Sequence, residues 1–131
     1  MELKRITGQQ SRTLLEFYDS KEWPTQWKKM PEMMCRLIKS LELIDHDPVC
    51  VFTSHAELLL TSEDDYQNWQ VLVKIIEMDN NQYYKITAAQ DNPWHHLTGF
   101  TDDHNQAAEL VISGLSVSVI GKNRNIFLDS N

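Results

Sequence analysis

The stretch from Trp69 to Ala89 constrains this chain more than any other. Trp69, Val71, Val73 and Ile75 alternate with Gln70, Leu72, Lys74 and Ile76, which is the two-residue period of a strand. Asp79-Asn80-Asn81 supplies turn residues. Gln82 to Ala89 then returns, with Tyr84, Ile86 and Ala88 on one face. The pair reads as an antiparallel hairpin. The second face of the first strand is only partly polar, so it reads as a central strand covered to some extent on both sides. A chain with such a hairpin folds around a sheet.

The remaining elements are placed by periodicity and by breakers. A first helix is expected from about Gln9 to Asp19, ended by Glu22-Trp23-Pro24, because the residue before proline is pushed out of the helical region. Thr25 can cap a short turn through Trp27. Pro31 suits the first position of a second helix, where a missing N–H costs nothing. Met33, Met34, Leu37, Ile38 and Leu41 form the apolar stripe of that helix. Asp45-His46-Asp47-Pro48 breaks the pattern. Val49–Thr53 and Glu57–Thr61 read as strands, joined at His55-Ala56 by a tight turn or a bulge. Ser62–Asn68 is a polar, acidic loop. Pro93 to Gly99 is a connection with room for a short edge strand. Thr101 is expected as the N-cap of a last helix, with Asp102 and Asp103 in its first turn and Ala107, Ala108, Val111 and Leu115 on its inner side. Val117–Leu128 is β-prone and reads as a terminal hairpin or a tail. Together these predict one α+β domain over residues 1–131. Its mostly antiparallel sheet has about four or more strands, with two N-terminal helices and one C-terminal helix packed on it.

Charge says more about partners than about fold. The formal net charge is −7. Residues 41–121 hold thirteen acids against Lys74 and Lys85 alone, a net of −11, while the flanks are +3 and +1. Such a field repels phosphate and attracts cationic surfaces, which argues against nucleic-acid binding. No apolar run is long enough to span a bilayer, and no signal peptide is seen, so a cytoplasmic protein is expected. Cys35 and Cys50 match no zinc spacing and read as small core residues.

Candidate chemistry is sparse. His95, His96 and His104 lie near Asp102 and Asp103, a grouping from which a zinc site or a small enzyme could be built. Adjacent His95 and His96 point to opposite faces when extended, however, and the two acids are explained by a helix start. His55 and Glu57 beside Ser54 contain parts of a nucleophile–base arrangement but lack the sharp elbow. An enzyme reading requires a concave pocket in which two or more histidines converge with a carboxylate. The acidic Glu63-Asp64-Asp65 run lacks the alternation and the glycine of a calcium loop. With four glycines in the chain, no phosphate-cradling loop is present. No cofactor, no metal and no catalytic residue is assigned.

What remains is acid interleaved with aromatics. Tyr66 and Trp69 lie beside Glu63, Asp64 and Asp65, and Trp94 lies beside Asp91 and near Asp102 and Asp103. Carboxylates flanking aromatics suit an interface that grips a basic protein. The segment Val51–Leu58, the two following strands, Pro93-Trp94, Gly99 and Ala107-Ala108-Glu109 resemble small acidic bacterial proteins of the immunity type, which neutralise toxins. That resemblance implies a non-enzymatic α+β inhibitor that occludes a basic toxin such as a nuclease. The partner-binding residues expected here are Glu63, Asp64, Asp65, Tyr66, Trp94, Asp102 and Asp103. The chain also resembles small acidic secretion chaperones, which implies a dimer that binds an unfolded effector through the stripe of the second helix and the tail.

Overall fold

The computed structural model describes residues 1–27, 29–64 and 68–118. The expected residues Asp65 and Tyr66, and all of the proposed tail beyond Ser118, lie outside the described residues. Six strands form one sheet in sequence order: β1 (Leu3–Arg5), β2 (Val49–Ser54), β3 (Glu57–Thr61), β4 (Val71–Met78), β5 (Asn81–Ala88) and β6 (Leu97–Thr101). The helices are α1 (Leu14–Tyr18), α2 (Lys29–Glu42) and α3 (His104–Val117), with 3-10 turns over Thr25–Trp27 and Pro93–His95. The fold is α+β and the sheet is mostly antiparallel, as the periodicity predicts; β2 to β6 are a simple meander.

Two short β-turns drive the meander. Asp79 and Asn80 have φ of 52° and 67°, and Met78 pairs with Asn81, so the turn is the two-residue kind that needs two left-handed residues. His55-Ala56 is also a tight two-residue turn, between the paired Ser54 and Glu57, with His55 at φ 56°.

The N-terminal region departs from expectation. Leu3–Arg5, where no element was expected, is a strand paired parallel to β2 through Leu3↔Val49 and Arg5↔Val51. A parallel pair needs a long crossover, and α1, the first 3-10 turn and α2 provide it. The first helix covers only Leu14–Tyr18, not Gln9–Asp19. Thr13 caps it, accepting from the Glu16 N–H while the Glu16 carboxylate accepts from the Thr13 N–H, so the helix cannot begin earlier. Pro31 is the third residue of α2 rather than the first, still among the four N–H positions that have no helical partner.

The front face of the sheet carries the main core. Val49, Val51, Leu58, Leu60, Val71, Val73, Tyr84 and Ile86 meet Met34, Leu37, Ile38 and Leu41 of α2 and Ala107, Ala108 and Val111 of α3. The α2 stripe is therefore buried, and it is not the exposed surface that the chaperone reading requires. The Tyr84 hydroxyl donates to the Met33 carbonyl of α2 at 2.5 Å, and the Tyr18 hydroxyl to the Ala56 carbonyl at 3.1 Å. Burial raises both phenol pKa values.

The back face carries a second, smaller cluster of Ile6, Phe52, Leu59, Trp69, Leu72 and Ala89. Trp69 thus packs opposite to Val71, Val73 and Ile75, not with them. The reason is a bulge. Leu60 pairs with Val71, yet the Gln70 N–H also donates to the Leu60 carbonyl at 2.8 Å, so two residues of one strand oppose one of the other and the alternation slips. Cys35 and Cys50 are half-buried, one against each cluster, with free thiols whose pKa values burial raises.

The N-cap of α3 is Asp103, not Thr101. Thr101 ends β6, and the Asp103 carboxylate accepts from the Gln106 N–H at 2.8 Å. Asp103 is thereby a cap rather than a first-turn acid.

Candidate functional site

In a meander, successive connections alternate between the two ends of the sheet. The segments 45–48, 62–68 and 89–96 therefore leave from one end, and His55-Ala56, Asp79-Asn80 and Asp102-Asp103 lie at the other. The described residues of these three segments include Asp45, Asp47, Glu63, Asp64 and Asp91, and no lysine or arginine. The nearest lysine or arginine along the sheet register is Lys4, paired with Cys50 on the edge strand.

This acidic end is fastened tightly. Gln70, buried at the bulge, accepts from the Ser62 N–H at 2.6 Å and donates to the Ser118 hydroxyl at 3.0 Å, so it ties the start of one loop to the end of α3. The Thr61 hydroxyl donates to the Asn68 carbonyl at 2.7 Å and closes the base of that loop. Asp64 crosses to the N-terminal segment, where Thr7 donates from its N–H at 2.9 Å and from its hydroxyl at 2.7 Å. These two bonds hold the Asp64 carboxyl below the usual carboxylate range, with the hydroxyl bond the larger cause. Asp64 is thus an exposed but structurally engaged acid.

The neighbouring loop is fixed through His96. Its Nδ1 accepts from the Gln90 N–H at 2.9 Å, and its ring meets Trp69 edge-on, with centroids 5.5 Å apart. An accepting Nδ1 leaves the proton of a neutral imidazole on Nε2. Gln90 Nε2 donates to the Val117 carbonyl at 3.0 Å, again anchoring on α3. Asn92 caps the following 3-10 turn by accepting from the Trp94 N–H at 3.0 Å. Trp94 therefore projects from a capped turn, and it is 90% exposed.

Of the predicted residues, Glu63, Asp64 and Trp94 lie at the acidic end, on two adjoining loops, and Asp65 and Tyr66 lie outside the described residues. Asp102 and Asp103 do not join them. They follow Thr101, which pairs with Tyr84, whereas the start of β6 at Leu97 pairs with Ala88 near the acidic end. At the strand rise of about 3.3 Å per residue, the length of β6 sets them ~15 Å or more away. The residues missed were Asp45, Asp47 and Asp91. The parity of strand connections would have found them, since each lies in a connection at the same end.

The other end holds a cavity of about 450 Å³ beside the protruding β4–β5 hairpin. Trp27, Met30 and Ile75 supply apolar wall, and His55, Glu57 and Glu77 supply polar groups. Lys74 Nζ lies 3.7 Å from Glu57 Oε1, a long ion pair between half-buried groups. Among the described residues, His55 is the histidine that lines this cavity. His104 is elsewhere, with Nδ1 2.8 Å from the Ser40 hydroxyl. Among the described residues no three His, Cys, Asp or Glu side chains converge as metal ligands would, and no helix is long and apolar enough to cross a membrane.

No protein-family model, curated protein or solved structure matches the chain.

Proposed function

We propose that this protein is a binding protein that neutralises a cationic protein by occlusion, in the manner of acidic immunity proteins that silence a basic toxin, and that its docking surface is the acidic end of the sheet. The observation that carries this reading is Trp94: a large aromatic held on a capped turn, almost fully exposed, beside loops that contain acids and no lysine or arginine. An exposed tryptophan on a capped turn supplies the buried anchor of an interface, while an acidic rim steers the encounter. Anchor and rim act on different rates, since the anchor sets dissociation and the rim sets association. Asp102 and Asp103 fall outside this surface. Asp64 contributes field rather than a free ligand, because Thr7 already occupies both of its oxygens.

The test is co-purification from the source cells at low salt with the intact chain as bait, followed by association kinetics with the captured protein. A basic partner is expected. Trp94→Ala should raise its off-rate about thirtyfold or more. Reversing Asp45, Asp47 and Glu63 together should slow association and flatten its salt dependence. A partner that binds both variants as it binds the parent would overturn the assignment of this end.

A further inference from the structure

A cavity of about 550 Å³ lies between the β1 edge, the start of α1 and the second half of α2. Leu3, Leu14, Leu15 and Ile38 give it an aliphatic wall. Its charged groups are Arg5, Arg12 and Glu42, so its lining is net cationic on a chain whose net charge is −7. The volume is in the range of small-molecule sites, which combine an apolar lining with a few placed polar groups.

Arg5 is the unusual group. It is half-buried, and among the described residues no carboxylate pairs with it. Neutral groups alone fix its guanidinium. Nη1 donates to the Arg12 carbonyl at 3.1 Å, and Nη2 donates to Gln9 Oε1 at 3.3 Å and to Thr53 Oγ1 at 2.8 Å. The Phe17 ring centroid lies 5.4 Å from Cζ. Three of the five guanidinium N–H groups are thus engaged. Nε is enclosed without a hydrogen-bond partner, which leaves one hydrogen on Nη1 for a group in the cavity. Burial pulls the Arg5 pKa down. A partly buried cation without a counter-ion is costly, and the adjoining cavity has room for one.

The charges are also sorted along the cavity. Arg12 adds a second guanidinium beside the first. It pairs with Glu22 at 3.3 Å, but both side chains are exposed, so the pair is weak and readily exchanged. Glu42 is the last residue of α2, toward the end marked by Leu3, whose partner Val49 begins β2. Arg5 pairs with Val51, two residues further along. The cations therefore lie at one end and the acid at the other.

We propose that this cavity binds a small aliphatic monocarboxylate, with its head group on Arg5 and Arg12 and its chain along Leu3, Leu14, Leu15 and Ile38. The carboxylate supplies the counter-ion that Arg5 lacks, through charge-assisted hydrogen bonds stronger than those to its neutral partners. The chain takes aliphatic wall out of water. Glu42 repels a second carboxylate at the far end. The site does not involve the acidic end of the sheet, so it stands independently of the binding proposal.

Isothermal titration of the full chain with octanoate tests it, with octanol, acetate and octanedioate as comparison probes. Octanoate should bind saturably and tightest of the four. Arg5→Gln should weaken it about tenfold or more, and Arg12→Gln about fivefold. Thermal melts without ligand should match the parent for Arg12→Gln, whose side chain is exposed, so its weaker binding reads the site and not the fold. Glu42→Gln should narrow the gap between octanoate and octanedioate. No saturable binding of octanoate would overturn the proposal. So would octanol or octanedioate binding as tightly as octanoate, or octanoate binding both arginine variants as it binds the parent.

Discussion

Gly114→Ala sets two opposing effects against each other at one well-defined contact. Gly114 lies in the last turn of α3, where alanine would favour the helix by about 1 kcal/mol. The added Cβ, however, would lie 3.1 Å from Val71 Cγ2 and 3.4 Å from Ala88 Cβ. Val71 cannot easily yield. It is fully buried, it is held between β3 and β5, and its branched side chain is stiff at χ1. Overpacking of this kind costs about 1–3 kcal/mol. The clash therefore outweighs the propensity, and a net loss of about 1 kcal/mol is expected, or ~3–5 °C in Tm for a chain of this size. The diagnostic is a double-mutant cycle, read by urea and thermal melts followed by circular dichroism. Val71→Ala alone should cost about 2 kcal/mol. In that background Gly114→Ala should become stabilising by about 0.5–1 kcal/mol, because the obstructing methyl is gone. If Gly114→Ala stabilises the parent protein, or if the two changes are additive, close approach of α3 to the sheet is not what glycine serves here. The same substitution would disturb the acidic end, since Val117 and Ser118 anchor Gln90 and Gln70 just beyond this turn.

Two further outcomes are expected. Tyr84→Phe removes the bond to the Met33 carbonyl that links β5 to α2, and should cost about 1 kcal/mol in urea unfolding with an unchanged m-value; a neutral result would mean that the contact is incidental. Asp64 has a folded-state pKa below its unfolded one, so its contribution is present above the ordinary aspartate range of about 3.9 and is lost as pH falls through the depressed value. Asp64→Asn should therefore lower the urea midpoint near neutrality and shrink that gap in acid, and a gap independent of pH would show that the Thr7 bonds do not depend on the charge.

The long periodic elements were legible in the sequence because each repeats its own signal. The α2 stripe and the β4–β5 hairpin are examples. What could not be seen depended on distant partners. Leu3–Arg5 has too few residues to show a period, and it is a strand only because Val49–Val51 lies beside it. Trp69 obeys the alternation on paper and leaves it in space, because Gln70 bulges against Leu60. At the candidate site, the acids of the 62–65 loop and Trp94 were readable from composition. Their separation from Asp102 and Asp103 was not, because that follows from which end each connection leaves. Nor does any local pattern reveal that Thr7 claims Asp64.

The two faces of the sheet are unequal, and that has a bearing on how the molecule comes apart. Helices shield the front, while the back relies on Ile6 and Trp69, each brought in by a connecting segment and latched by the Thr7–Asp64 and Thr61–Asn68 bonds. Release of that latch would bare Phe52, Leu59 and Leu72 while leaving the helical side intact. Asp64 thus helps to hold the cover over sticky β-surface, and the acidic charge at this end would keep a partly opened molecule from adhering to its neighbours.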